Sequence, residues 1–301
     1  MNPLISGIRA AEIGVSDLGL TAHFYQHVWG LQKVMATSQS IYLRGSACSH
    51  PILKLSAGGT GITRFMFQVR SLEALDVLRS KILAAGLPVS HSVSRLDEPG
   101  DVHGFDSRDP EGRTVAFGWS ATDVRHHGSP APDLFTKITH LNLNCGAYEA
   151  MRGYMTGVLG FRVIDETRTN GFFNCDVDHH CLVIARTPTA PTLNHIAFEM
   201  PDLDSMMRMC GTMRENGYPI EWGVGRHGPG DNVFAYFAGP EEMPIECTAE
   251  VLQVDATYDY RGPEIWAFPP GRTDQWGVTG PPSPRIKRIQ TQFPFSPAAL
   301  R

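Results

Sequence analysis

Three residues in the second half of the chain carry side chains that commonly bind metal ions. His140, His195 and Glu246 each lie in a short, mostly apolar stretch that is typical of a β-strand. A carboxylate on a strand suited to burial needs a partner, because an unpaired buried charge is costly. Two histidines and one carboxylate that leave coordination positions open suit ferrous iron in oxygenases, and manganese would also fit. The three residues therefore predict one divalent metal site shared by three strands.

The predicted strand at 137–144 indicates which side chains share a face with His140. Side chains alternate along a strand, so within 137–144 His140 and Asn142 point one way, and Leu141 and Leu143 the other. By itself, a histidine in a strand is more often a hydrogen-bonded core residue than a ligand, and a strand glutamate usually faces solvent. The metal site therefore needs support from elsewhere in the sequence.

That support comes from an internal repeat at an offset of 130 to 131 residues. The stretch 28–31 returns at 158–161, and the stretch 86–88 returns at 217–219. The chain thus consists of two copies of one domain, joined near 126–133, where the composition is that of a linker.

We expect an N-terminal domain at 1–128 without a metal and a C-terminal metal-binding domain at 134–260. The segment 261–301, rich in proline and glycine, is expected to form a strap over the domain or a subunit contact.

The three metal-ligating residues have no counterparts in the first copy. At the repeat offset, His195 corresponds to Arg64, Glu246 corresponds to Ala116, and His140 falls opposite arginine or alanine. The repeated scaffold stands without these residues, which favours a functional site confined to the second half.

Each copy shows the same order of predicted elements. A strand is followed by a helix, further strands and a second helix, which spans about 72–85 in the first copy and 203–216 in the second. Ser71 and Asp202 are suitable N-cap residues for these second helices. The mixture of strands and helices indicates an α+β fold.

Two further groups of polar residues could take part in chemistry. His179 and His180 lead into an apolar strand, and His227 and Tyr236 flank a loop rich in glycine, proline, asparagine and aspartate. The alternative for the first group is a surface pair of histidines. The alternative for the second is a solvated loop histidine and a half-buried tyrosine.

With these residues, both halves of the chain resemble domains of the vicinal oxygen chelate superfamily. This superfamily contains glyoxalases, bleomycin-resistance proteins and extradiol dioxygenases. The second half resembles a type I extradiol ring-cleavage dioxygenase, because His227, Tyr236, Pro240 and Glu246 follow the order and spacing of that family's signature. The resemblance implies tandem domains, each of paired βαβββ modules that curl a mixed sheet around a metal-holding funnel. Trp222 stands where some members carry a basic residue.

The resemblance also implies residue roles for an Fe(II) enzyme that cleaves a catechol-like ring next to the diol with O2. The implied iron ligands are His140, His195 and Glu246. The residues implied to handle protons in catalysis are His180, His227 and Tyr236. The implied substrate contacts are Asn142, His227 and Tyr236. The resemblance further implies that the protein is a homo-oligomer. The alternatives are a metal-dependent isomerase, lyase or hydrolase of the same superfamily, and a ligand-binding protein without turnover.

The composition excludes several other classes of protein. The chain has 301 residues, of which 42% are hydrophobic, so it contains enough apolar side chains for a core. Its net charge of −5 argues against nucleic-acid binding, which needs a basic surface. No apolar run approaches the roughly 18 residues of a membrane span. With no export signal and no paired CxxC cysteines, we expect a cytoplasmic protein with reduced thiols.

Overall fold

The computed structural model describes residues 3–123, 131, 133–188 and 191–301, so most of the predicted junction at 126–133 lies outside the described residues. Two sheets, one from each half of the chain, form the framework. The strands of the first half are β1 (Ile5–Val15), β2 (Gln32–Ala36), β3 (Ser40–Arg44), β4 (Leu53–Ala57), β5 (Gly61–Val69), β6 (Ser94–Arg95), β7 (His103–Arg108) and β8 (Thr114–Trp119). Those of the second half are β9 (Lys137–Cys145), β10 (Arg162–Glu166), β11 (Asn170–Asn174), β12 (Leu182–Arg186), β13 (Thr192–Glu199), β14 (Trp222–Arg226), β15 (Val233–Ala238), β16 (Pro244–Ala249) and β17 (Phe293–Pro294).

The helices lie where the repeat predicts them. The side-chain oxygens of Ser71 and Asp202 accept hydrogen bonds from the backbone N–H groups three residues on, at 3.1 and 2.7 Å, which confirms both N-caps. Gly86 and Gly217 follow the two capped helices with φ of +76° and +84°, a conformation that favours glycine. The α-helices are α1 (Leu18–His23), α2 (Leu72–Ala84), α3 (Tyr148–Gly153), α4 (Leu203–Glu215) and α5 (Pro284–Ile289), with π-helical turns at Phe24–Val28 and Tyr154–Val158 and a 3₁₀ turn at Pro240–Glu242.

The two sheets have the same topology. The strand order is β2-β3-β4-β1-β5-β8-β7-β6 in the first and β10-β11-β12-β9-β13-β16-β15-β14 in the second, with β17 added beside β13. Each sheet is a pair of βαβββ modules joined through an antiparallel central pair, β1 with β5 or β9 with β13. The α+β class and the tandem arrangement predicted from the sequence are therefore confirmed.

The register of the central strands places the three metal-ligating candidates together. Ala197 on β13 lies opposite both His140 on β9 and Glu246 on β16. His195 is two residues before Ala197 and shares its face. The opposite face of β13 carries Ile196 and Phe198, which are fully buried in the core. Strand alternation thus separates the polar site from the hydrophobic core.

The first sheet has an ion-pair cluster in the corresponding place. Arg64, the counterpart of His195, is buried and bonds to Glu12 at 2.9 Å and to Asp106 at 2.8 Å. Within the described part of the chain, the only group of three histidine, cysteine or acidic side chains close enough to share a metal ion is the one in the second sheet. The candidate metal site thus lies in the second half, and a first domain without a metal stays a prediction.

The C-terminal segment lies along both halves. Helix α5 packs Ile286 and Ile289 against β15, and β17 pairs with β13. Further on, Ser296 bonds to the backbone of β5, and Arg301 bonds to Asp106 of the first sheet at 2.8 Å. No helix in the described residues is both long and apolar enough to cross a membrane.

Candidate metal centre

Three potential ligand atoms converge at the centre of the second sheet. His140 Nε2 lies 3.1 Å from His195 Nε2 and 3.4 Å from Glu246 Oε2, and His195 Nε2 lies 3.0 Å from that same oxygen. All three side chains are buried. The three atoms are therefore close enough together to bind one divalent metal ion.

Hydrogen bonds do not satisfy all three ligand atoms. Glu246 Oε2 is buried and accepts no hydrogen bond, although two imidazole nitrogens lie within 3.4 Å of it. A divalent cation would satisfy this oxygen and both nitrogens at once. Two imidazoles and one carboxylate form a donor set that Fe(II) and Mn(II) accept, so the residues present fit a bound metal ion.

Two asparagines orient the ligands. His195 Nδ1 donates to Asn194 Oδ1 at 2.8 Å, which leaves the Nε2 lone pair free for a metal. Asn232 Nδ2 donates to Glu246 Oε1 at 3.2 Å and to Thr248 Oγ1 at 2.7 Å. Sequence reasoning did not assign these roles. The only available signal was their position, next to His195 in one case and within the polar loop in the other.

Burial and neighbouring charges prepare the ligands for a cation. Burial alone would raise the pKa of Glu246, but His140 and His195 hold that pKa well below its usual range. Burial lowers the pKa of His195, against the opposing effect of Glu246. The carboxylate is therefore ionised and His195 neutral, which are the forms that bind metal ions.

A cavity of about 370 Å³ is lined by two of the three candidate ligands, His140 and His195, and Glu246 contacts both of them. Its wall includes Asn142, whose Oδ1 is buried and has no hydrogen-bond partner. No lysine or arginine is among the described residues that line it. The aromatic residues in the wall are Phe172, Trp222, Trp266, Phe268 and Tyr236. A larger cavity of about 660 Å³ between the two halves contains none of the predicted site residues.

His227 and Tyr236 form a pair on one side of this cavity. His227 Nε2 lies 3.0 Å from Tyr236 Oη, and the two rings are held by aromatic neighbours. Phe234 stacks on His227 with ring centroids 3.8 Å apart, and Trp222 stacks on Tyr236 at 4.9 Å. Burial lowers the pKa of His227 to about 4 and, together with Glu246, raises that of Tyr236 well above its ordinary value. Both groups are therefore neutral near pH 7.

His180 lies on another side of the cavity. Its ring centroid is 4.5 Å from that of His140, and burial, reinforced by His140 and His179, lowers its pKa well below the usual value. The adjacent His179 is fully buried and points away from the cavity towards Asp165, 3.0 Å from its Nε2. The sequence did not identify Asp165, which has no motif around it.

The structure brings the residues predicted from the sequence into one place. Six of them line the same cavity, and Glu246 contacts both histidine ligands beside it. The role of each residue in catalysis stays a prediction. The six are His140, Asn142, His180, His195, His227 and Tyr236.

Comparisons with known proteins agree with this architecture. The family model of the Glyoxalase/Bleomycin resistance protein/Dioxygenase superfamily matches residues 137–247. The Mn(II)-bound glyoxalase from Novosphingobium aromaticivorans is 30% identical, with a TM-score of 0.87 and 94% of each chain covered. The complex of homoprotocatechuate 2,3-dioxygenase from Brevibacterium fuscum with 3,4-dihydroxyphenylacetate is 22% identical, with a TM-score of 0.81 over 95% of this chain and 92% of that one.

Among curated proteins, metapyrocatechase 2 from Cupriavidus necator is 25% identical over 123 residues. The match spans 40% of this chain and only 38% of that protein. The similarity to the glyoxalase extends over 94% of this chain, and the family match contains all three candidate metal ligands. The chain belongs to the Glyoxalase/Bleomycin resistance protein/Dioxygenase superfamily.

Proposed function

We propose that this protein is a non-haem Fe(II)-dependent extradiol dioxygenase that opens a catechol-type ring next to the vicinal diol with O2. We call the three candidate ligands, His140, His195 and Glu246, the metal triangle. The observation that carries the proposal is that the cavity beside this triangle is also lined by three side chains that can transfer protons. These side chains are His180, His227 and Tyr236. The names of two relatives, a metapyrocatechase and a homoprotocatechuate 2,3-dioxygenase, support it.

A bound iron would supply a positive charge that acidifies the diol and open positions at which the diol and O2 meet. The protein would supply the groups that place and move protons. The paired His227 and Tyr236 offer a hydrogen-bonding site for one diol oxygen, since Tyr236 Oη and His227 Nε2 lie 3.0 Å apart. His180, held neutral by burial, would accept a proton early in the reaction and return it as the ring opens.

The lining of the cavity limits the substrate. An acidic ring substituent would need a cationic partner, and no lysine or arginine is among the described lining residues. Trp222, Trp266 and Phe268 instead offer apolar and aromatic surface. The proposed substrate is therefore an uncharged catechol, either unsubstituted or with an apolar substituent.

The second candidate is a metal-dependent isomerase or lyase that does not use O2. The observation in its favour is the 30% identity over 94% of the chain to a Mn(II)-bound glyoxalase. A ligand-binding protein without turnover has less support, because simple binding does not need three proton-handling groups beside a metal site.

Anaerobic reconstitution separates these functions. The protein is loaded with Fe(II) or with Mn(II) and offered methyl- and phenyl-substituted catechols with O2, and in parallel a 2-oxoaldehyde–thiol adduct without O2. Ring cleavage is expected to consume one O2 per catechol and to give a yellow product. Conversion of the adduct without oxygen uptake, and no reaction with any catechol, would favour the second candidate.

A matched pair of variants links the activity to the metal triangle. His195→Ala is expected to fold but to lose metal and activity, because one of three ligands is missing. His91→Ala, at an exposed position of the first half, is the control and should keep both. Full metal content in His195→Ala would contradict the assignment of that ligand.

A further inference from the structure

A buried carboxylate lies behind the two adjacent histidines. Asp165, on β10, is fully buried, and its Oδ2 lies 3.0 Å from His179 Nε2. His179 Nδ1 lies 3.1 Å from His180 Nδ1. Tyr258 Oη and the backbone N–H of Arg261 donate to the same carboxylate at 3.2 and 3.1 Å. A continuous chain of hydrogen bonds therefore runs from a buried acceptor to the wall of the cavity.

The hydrogen-bonding rules of these groups fix where the protons lie. A carboxylate oxygen accepts hydrogen bonds, so the proton shared by Asp165 and His179 lies on His179 Nε2. Since His179 donates through Nε2, its Nδ1 is the acceptor in the contact with His180, and the proton between the two histidines lies on His180 Nδ1. The free lone pair of His180 is consequently on Nε2.

We propose that Asp165 and His179 are positioning residues that hold His180 in the tautomer with an unprotonated Nε2. The backbone of Gly230 also packs closely against this ring, since an added Cβ at Gly230 would lie 2.7 Å from His180 Cε1. In this arrangement His180 is ready to accept a proton from a substrate hydroxyl at Nε2. This use of the tautomer rests on the proposed function, whereas the tautomer itself does not.

The substitution Asp165→Asn reverses the tautomers while keeping the shape. The backbone N–H of Arg261 contacts Oδ1 and needs an acceptor, so the amide oxygen takes that position. The amide nitrogen then faces His179 Nε2 and donates to it, which moves the proton of His179 to Nδ1. His179 in turn donates to His180 Nδ1, and the proton of His180 moves to Nε2.

The first measurement is nitrogen NMR of the imidazoles in protein loaded with diamagnetic Zn(II), with His180 assigned by comparison with His180→Gln. The wild type is expected to show His180 protonated at Nδ1, and Asp165→Asn to show it protonated at Nε2. A wild-type His180 protonated at Nε2 would overturn the proposal, even if Asp165→Asn failed to fold.

The second measurement is turnover of the Fe(II)-loaded variants with a catechol. Asp165→Asn is expected to lower kcat by about 10²-fold or more, the size of one general acid–base contribution, with KM and metal content unchanged. Tyr258→Phe is the control, because it removes one donor to Asp165 but leaves the carboxylate, and its kcat should stay close to wild type. Equal losses in both variants would show that the cluster is only structural.

The two measurements distinguish the failure of this inference from that of the proposed function. If no catechol is cleaved but the NMR shows the expected tautomers, the proposed function fails and the positioning role stands. If catechol is cleaved and Asp165→Asn has wild-type kcat, the positioning role fails and the proposed function stands.

Discussion

The support of Glu246 by Asn232 leads to a quantitative prediction for metal affinity. Asn232 is fully buried, and its Nδ2 is a donor to Glu246 Oε1 at 3.2 Å, on the carboxylate whose other oxygen joins the metal triangle. In Asn232→Ala this hydrogen bond to a charged group, worth about 1.5–3 kcal/mol, is lost. Since each 1.4 kcal/mol is about a factor of ten, the Kd for Fe(II) or Mn(II) is expected to rise by about 10-fold to 100-fold.

Thr248→Val is the matched control for this prediction. It removes the hydroxyl that Asn232 also contacts at 2.7 Å but leaves the bond between Asn232 and Glu246 in place. Its Kd should change much less. The assay is an anaerobic competition titration against a chelator of known affinity. An unchanged Kd in Asn232→Ala, or an equal rise in Thr248→Val, would refute the reasoning.

Three more predictions concern the groups around the metal triangle. Gly230 has φ of +84°, and in Gly230→Ala the new Cβ would lie 2.7 Å from His180 Cε1. Turnover per bound metal should fall by about 10²-fold, because the His180 ring is displaced. Unchanged turnover would contradict this. Because burial lowers the pKa of His227 from 6.5 to about 4, the unfolded state takes up a proton first as the pH falls. The free energy of unfolding of the metal-free protein should therefore fall between about pH 6.5 and 4, and this slope should be smaller in His227→Gln when followed by denaturant titration. In Trp222→Arg, the ratio of kcat/KM for an acidic over a neutral catechol should rise about tenfold, the effect of one charge-assisted hydrogen bond; a constant ratio would show that Trp222 does not face the ring substituent.

The sequence predicted the elements that local rules determine. The caps at Ser71 and Asp202 follow from side-chain oxygens that satisfy free backbone N–H groups at a helix start. The common face of His140 and Asn142 follows from strand alternation, and both residues line the cavity. The repeat extended the prediction from single elements to two domains of the same fold, because similar sequence patterns at a constant offset indicate similar folds.

The parts that were not predicted depend on contacts between distant segments. Asp165 lies fourteen residues before His179, and its partners at Tyr258 and Arg261 come more than ninety residues later, so no local pattern marks the cluster. Asn232 contacts Glu246 only because β15 and β16 pair in a particular register. Such hydrogen bonds are set by tertiary packing, which a single sequence does not specify residue by residue.

The C-terminal segment helps to orient His195, so the order in which the chain is synthesised affects when the metal centre can form. His195 is oriented by Asn194, whose Nδ2 donates to Asn144 at 3.1 Å, and Asn144 in turn donates to the backbone oxygen of Gln290 at 2.6 Å. During synthesis on the ribosome, all three ligands emerge well before Gln290. The metal centre should therefore reach its full affinity only once α5 has docked, and removal of residues 284–301 should raise the Kd for the metal.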